Sequence, residues 1–157
     1  MKILIRKARL LDAEDLAKLY LEFWESHKKC DPLLEFKDRL TFKNQVIAAK
    51  RDIKKKNNCI FVALKNDKVV GFIEFFIKKN DKFFKVKEYG YLNSAVTLKG
   101  YRNRGIAKKL YFAAVKFLKD RGVKYVKTNV YNSNIVALKT WQKIGFKTQS
   151  SIMIKRI

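Results

Sequence analysis

Residues 100–110 read GYRNRGIAKKL. Gly100 and Gly105 stand five positions apart with two arginines between them, which is the glycine spacing of a phosphate-binding P-loop. Such a loop continues into a lysine and a hydroxyl that reach phosphates and a magnesium ion. Here Ile106 and Ala107 stand in those places, so P-loop chemistry is excluded. The dinucleotide pattern G-x-G-x-x-G is absent as well. What remains is Arg102-Asn103-Arg104-Gly105-Ile106-Ala107, which fits Q/R-x-x-G-x-G/A. At the start of a helix this hexapeptide has a physical use. The first turn presents unpaired N–H groups and the positive end of the helix dipole, and an anion placed there is stabilised. Gly105 has no Cβ and lets the backbone approach a ligand closely. Arg102, Arg104, Lys108 and Lys109 add positive charge around it.

That use requires a strand before the loop and a helix after it, and the hydrophobic pattern supplies both. Residues 84–97 read as a long strand that includes VKEYGYLNSAVT. Ile106, Leu110, Ala113, Ala114 and Phe117 form the apolar stripe of a helix from Gly105 to about Arg121, closed by Gly122. Upstream, residues 3–8 alternate as a strand. Asp12 is placed to cap a helix over 13–26, and a second helix covers about 41–56 after the break at Pro32. CIFVALK and VVGFIEFFI, joined by Asn66-Asp67, read as a hairpin. Downstream, VKYVKTNVY (123–131) is a strand. Asn134 then opens a helix that Gly145 closes, and FKTQSSIMIKRI is extended. The order is β-α-α-β-β-β-α-β-α-β. This is an α/β (α+β) architecture: a mixed, mostly antiparallel sheet of six or seven strands with about four helices on its faces. The crossover spanning about 86–130 makes its two strands parallel.

The 157 residues fit a single domain, 1–157, with one proline, six glycines and no repeat or low-complexity tract. No run of apolar residues is long enough to cross a bilayer. Charge interrupts MKILIRKARL too soon for a signal peptide. Cys30 and Cys59 lack CxxC spacing and read as reduced thiols, which points to the cytoplasm. The net charge of +23 is extreme and unevenly placed. Residues 12–38 carry eight acids against four bases, for −4, whereas Lys99 to the C-terminus carries fifteen bases against one acid, for +14. This charge reads either as a lysine-rich solvated surface or as the mark of a polyanionic partner (a nucleic acid, a membrane surface or a phosphorylated cofactor), and no nucleic-acid-binding motif is present.

Two segments together resemble the GNAT superfamily of acetyl-CoA-dependent N-acetyltransferases. The first is the Tyr101-Arg102-Asn103-Arg104-Gly105-Ile106-Ala107 turn. The second is VYNSNIVALKTWQKIGF (130–146), with Asn134, Ala137, Trp141, Gly145 and Phe146 at the family's spacing. VALKNDKVVGFIEF is similar to the family's paired second and third strands, so the likeness covers nearly the whole chain.

The resemblance implies transfer of an acetyl group from acetyl-CoA to a primary amine by direct attack in a ternary complex. The acceptor would be a protein N-terminus, a lysine, a polyamine or a small amine. Arg102, Asn103, Arg104, Gly105, Ile106, Ala107 and Lys108 would then wrap the pyrophosphate. Ala95, Val96 and Thr97 would hold the pantetheine arm through their main chain, with Asn134 and Trp141 beside it. A base drawn from the preceding strand falls on Glu88 or Tyr91, with Glu74 a further candidate because strand parity is not fixed by sequence. Trp141 stands where many members carry a tyrosine credited with protonating the leaving thiolate; indole N–H is no usable acid. The acceptor would meet the acidic first helices, with Trp24, Glu25, His27, Asp31 and Glu35 near their joint. No metal is implied, and dimers are common in the family. The alternatives are a non-catalytic acyl-CoA sensor and a nucleic-acid-associated basic protein on the same fold.

Overall fold

The computed structural model describes residues 2–34 and 40–155. Five strands form one sheet in chain order: β1 (Leu4–Lys7), β2 (Cys59–Lys65), β3 (Lys68–Lys79), β4 (Glu88–Thr97) and β5 (Val126–Thr128). All neighbours are antiparallel except β4 and β5, which run parallel. The helices are α1 (Ala13–His27), α2 (Phe42–Lys54), α3 (Ile106–Lys119) and α4 (Ile135–Ile144). The mixed, mostly antiparallel sheet and the four helices are as the pattern predicts. The count of five strands, against six or seven expected, is a correction for the described residues.

Alternation along the strands splits the core in two. Ile60, Val62, Leu64 and Phe72 point to one side and bury Leu16, Leu19 and Tyr20 of α1 and Ala49 of α2. Ala63, Ile73, Phe75 and Leu92 point to the other and bury Ile106, Leu110, Ala114 and Leu118 of α3. Gly90 lets α3 lie close, since a Cβ there would come within 2.5 Å of Leu118 Cδ1.

Four other expectations change. Asp12 precedes α1, but its side chain does not cap that helix. The carboxylate instead accepts Arg6 Nη1 and Nη2 at 2.7 and 2.9 Å and the Arg9 N–H at 2.7 Å, pinning β1 to the turn before α1. β4 starts at Glu88 rather than 84, because the preceding loop closes on itself through Asn80 and Asp81. β5 is three residues rather than nine, and residues 146–155 form no strand. A three-residue edge offers little ladder for a further strand, and Ile152, Met153 and Ile154 stay exposed.

Candidate functional site

β4 is the axis of the site. Leu92 lies opposite Phe75 and Ser94 opposite Glu74, so Asn93 is an extra residue, a β-bulge. The bulge reverses strand parity. Before it, Leu92 faces α3; after it, Ala95 does, and Val96 faces α1. At the same point β5 leaves. It pairs with β4 only over Gly90–Leu92, and Thr128 Oγ1 donates to the Leu92 carbonyl at 3.1 Å where the strands part. From Asn93 to Thr97 the outer edge of β4 has no described strand beside it.

That edge leads to the hexapeptide loop. Asn103 (φ 60°) and Gly105 (φ 74°) are left-handed, and Gly105 sits at the N-terminal boundary of α3. The space where its Cβ would stand is open, with no atom within 4 Å. The opening amides of α3 have no intrahelical acceptor. Arg104, Lys108 and Lys109 are exposed around them. Arg102 is engaged differently: its Nε donates to the Thr97 carbonyl at 3.0 Å, and its guanidinium pairs with Glu22 of α1. It ties the loop to the end of β4 and to the first helix. Gly100, the other half of the apparent P-loop spacing, has no positive φ.

On the α1 side of the sheet a cleft of about 890 Å³ opens over the bulge. Tyr20, Phe23, Trp24 and His27 of α1 form one wall, and Gln45, Arg51 and Asp52 of α2 a second. Phe72, Glu74 and Phe76 of β3 form the floor with Tyr91, Asn93 and Ser94 of β4, and Tyr131 closes one end. Glu74 is 8% exposed and accepts Asn58 Nδ2 and Asn93 Nδ2 at 2.7 Å each and Ser94 Oγ at 2.9 Å. It therefore holds both the bulge residue and its neighbour. The Tyr20 hydroxyl is buried without a hydrogen-bond partner. Burial, with the charges of Glu74 and Asp52 adding to it, pushes that phenol well above its ordinary range. His27 stacks on Phe23 with centroids 3.8 Å apart. Its Nδ1 lies 2.9 Å from the Phe23 carbonyl, which can only accept, so Nδ1 carries the proton.

The residues singled out from sequence divide between these places. Ala95, Val96 and Thr97 lie on the free edge, and Asn103 to Lys108 form the loop and first turn of α3. Asn134 caps α4, its side chain accepting the Ala137 N–H at 3.1 Å. Trp141 packs on Tyr111 and Phe146 at 5.9 and 5.4 Å between centroids. Tyr91, Trp24 and His27 line the cleft. Glu25 is an exposed residue paired with Lys28. Asp31 sits behind the cleft, accepting the Tyr131 hydroxyl at 2.9 Å and the Leu33 N–H at 2.9 Å. Burial, reinforced by Asp31, raises the Tyr131 phenol. Glu88 is exposed at the start of β4 opposite Lys79, outside the cleft wall. Glu35 lies outside the described residues. Tyr20 and Asn58 line the cleft without being singled out by sequence, and Glu74, only a secondary candidate there, lies on its floor. A lone acid inside the apolar run VVGFIEFFI is the signal that could have promoted Glu74.

A strand that forks from its neighbour and leads through a glycine turn to a helix N-terminus leaves an open edge and unpaired amides where an extended anionic ligand fits. The chain matches the model of the acetyltransferase (GNAT) family over residues 13–146 and belongs to that family. It is 33% identical over 86 residues to N-alpha-acetyltransferase 30 of Schizosaccharomyces pombe, and the match spans 55% of each chain. The chain therefore matches about half the length of that curated relative. Among solved structures, it superposes on an aminoglycoside N-acetyltransferase, AAC(6')-Iy, in complex with CoA. That likeness has a TM-score of 0.79 at 17% identity and covers 99% of this chain and 95% of the other. A ribosomal-protein-alanine N-acetyltransferase from Brucella melitensis biovar Abortus gives a TM-score of 0.75 at 16% identity over 100% of both. At such identities these two show a shared fold. No described helix is long and apolar enough to cross a membrane.

Proposed function

We propose that this chain, as a single N-acetyltransferase domain, transfers the acetyl group of acetyl-CoA to a primary amine held in the aromatic cleft. The observation that carries the proposal is the Asn93 bulge. It is the one place where the free edge of β4, running from the anion-binding turn, meets the floor of the cleft. The CoA thioester supplies an activated acyl carbonyl and a thiol leaving group.

The chain's residues supply the rest. The amides of Gly105 to Lys108 bind the pyrophosphate, with Arg104, Lys108 and Lys109 contributing charge. The open space at Gly105 fits that role. The backbone of Ala95 to Thr97 pairs with the amides of the pantetheine arm as a strand would, and Asn134 and Trp141 flank it. A backbone N–H at the bulge stabilises negative charge developing on the carbonyl oxygen. The aromatic walls and Glu74 favour an amine that arrives as a cation. The ammonium first gives one proton to solvent, the neutral amine attacks, and Glu74 receives the second proton as the C–N bond forms, directly or through one water, with Tyr91 as the adjoining wall. The C–N bond forms, the C–S bond breaks, and the thiolate takes its proton from solvent. No tyrosine stands at Trp141, and a thiol of pKa about 8.5 leaves as the anion without help. Free Cys30 and Cys59 support a cytoplasmic setting.

The test has two stages. Acetyl-CoA, but not ATP or NAD, should raise the melting temperature, and no rise with any CoA species would overturn the proposal. Thiol release should then be followed against N-terminal peptides, lysine peptides, polyamines and small amines. Binding without release on any amine would establish the non-catalytic acyl-CoA sensor instead.

A further inference from the structure

The charge of +23 is not explained by one pyrophosphate, and the aromatic residues of the β3–β4 end of the sheet are not explained by the cleft. On the α1 side of the sheet, the buried core ends at Phe72, and Glu74 and Phe76 then line the cleft. Beyond them the same side carries Lys78 on β3, Tyr89 and Tyr91 on β4, and Lys127 on β5. Phe76 lies directly opposite Tyr91, Lys78 opposite Tyr89, and Lys127 opposite Tyr91 on its other side. Alternation adds Tyr125, two positions before Lys127 and 59% exposed. Lys78 Nζ lies 3.9 Å above the Tyr91 ring and Lys127 Nζ 4.8 Å above the Tyr89 ring.

The hairpin tip continues this surface. Residues 80–87 form an ordered loop. Asp81 Oδ1 accepts the Phe83 N–H at 3.2 Å, and Asn80 N–H donates to the Lys87 carbonyl at 2.7 Å. Lys87 Nζ reaches the Lys82 carbonyl at 2.7 Å. The shape is held by polar contacts, and Phe83 (82% exposed) and Phe84 (58%) face solvent. From 78 to 88 there are five lysines and two acids, and none of those lysines is paired with a carboxylate among the described residues.

We propose that this sheet face and hairpin tip form a binding platform for single-stranded nucleic acid, leading to the mouth of the cleft. Flat rings interleaved with lysines match alternating bases and phosphates. Lys78 and Lys127 each swing from a ring to a phosphate, and the vacated tyrosine faces take bases. A membrane surface would be met by the two phenylalanines of the tip, but it has no use for tyrosines and lysines in register across three strands. The platform shares Phe76 and Tyr91 with the cleft but involves neither the α3 turn nor the fork, so its occupancy is read separately from acetyl-CoA binding.

The test is fluorescence anisotropy of a labelled 12-mer oligouridylate with the full chain over a range of KCl. Binding should weaken with salt with a log–log slope of magnitude about 2–3, corresponding to three or four phosphates on a single strand. K78E/K85E/K127E should lose at least about tenfold and flatten the slope by about 2. F83S/F84S should lose at least about fivefold with the slope kept, since stacking carries no counterions. K119E/K139E/K143E, on α3 and α4, removes the same charge elsewhere and should stay within about threefold. A melting-temperature rise with acetyl-CoA in each variant would show that it is folded. The proposal is overturned if the oligonucleotide does not bind at physiological salt, if both charge triples lose equally, or if F83S/F84S has no effect. It is also overturned if vesicles of phosphatidylglycerol and phosphatidylcholine bind while the oligonucleotide does not. A single-stranded DNA of equal length shows whether the sugar matters, and tighter binding of a duplex than of either strand would refute the stacking platform.

Discussion

Substituting Gly105 by alanine separates the backbone's own requirement from the ligand's. Gly105 has φ of 74°, and a Cβ built there meets nothing within 4 Å. The free protein therefore suffers only the left-handed conformation, about 1–2 kcal/mol for a residue with a Cβ. At about 2–4 °C per kcal/mol for a chain of this size, the melting temperature should fall by roughly 2–8 °C. The ligand suffers more, because the methyl group occupies the open space through which the pyrophosphate reaches the first amides of α3. A tenfold weaker complex is the expected minimum. With acetyl-CoA at about 100 times the native dissociation constant, the native chain gains about 2.7 kcal/mol, and a tenfold weaker variant about 1.4 kcal/mol. The ligand-induced rise in melting temperature should therefore halve in Gly105→Ala, and calorimetric titration should give the dissociation constant directly. Gly100→Ala is the comparison. Gly100 is equally open but has no positive φ, so both its stability and its ligand shift should stay within about 0.5 kcal/mol of native. A full ligand shift in Gly105→Ala, or an equal loss in Gly100→Ala, would refute the argument that close backbone approach at Gly105 makes the anion site.

Asp12→Asn should cost about 1–3 kcal/mol, read by urea denaturation, because Arg6 loses its charged partner at a position only 3% exposed. Burial opposes ionisation of Asp12, but the hydrogen bonds from Arg6 and the Arg9 amide outweigh it and hold the carboxyl below its usual range. Its contribution is therefore complete above the ordinary aspartate pKa near 3.9 and is lost as pH falls below that, so the variant should lose part of the acid-side slope of stability. Gly90→Ala should cost about 1–3 kcal/mol through its 2.5 Å approach to Leu118, and its cost should shrink in a Leu118→Ala background. Glu74→Gln should lower turnover at least about a hundredfold while leaving the acetyl-CoA dissociation constant within threefold, since Glu74 lies on the acceptor side of the bulge. Equal losses in both quantities would mean that the residue only shapes the strand.

The sequence by itself determined the element order through α4, the apolar faces of α1, α2 and α3, and the glycine turn that opens α3. Each of these depends on neighbours within a few positions: a period of 3.6 residues, a glycine, a row of backbone amides. The same locality limits it. Asp12 looks like a helix cap because aspartate before an apolar stripe usually is one, but Arg6 captures it through the fold. Nothing near Arg102 in the sequence shows that Glu22, eighty positions before it, pairs with its guanidinium. Sequence puts Glu88 ahead of Glu74, and only the register of β3 on β4 shows that Glu74 lies on the cleft floor and Glu88 outside it. The extra residue at Asn93 shifts parity within β4, so no count along the chain could say which side chains share the cleft. The bulge exists because two strands pair out of step there, and Glu74 reaches across that pairing to hold Asn93 and Ser94. Only the tertiary structure decides that, because register is a relation between strands.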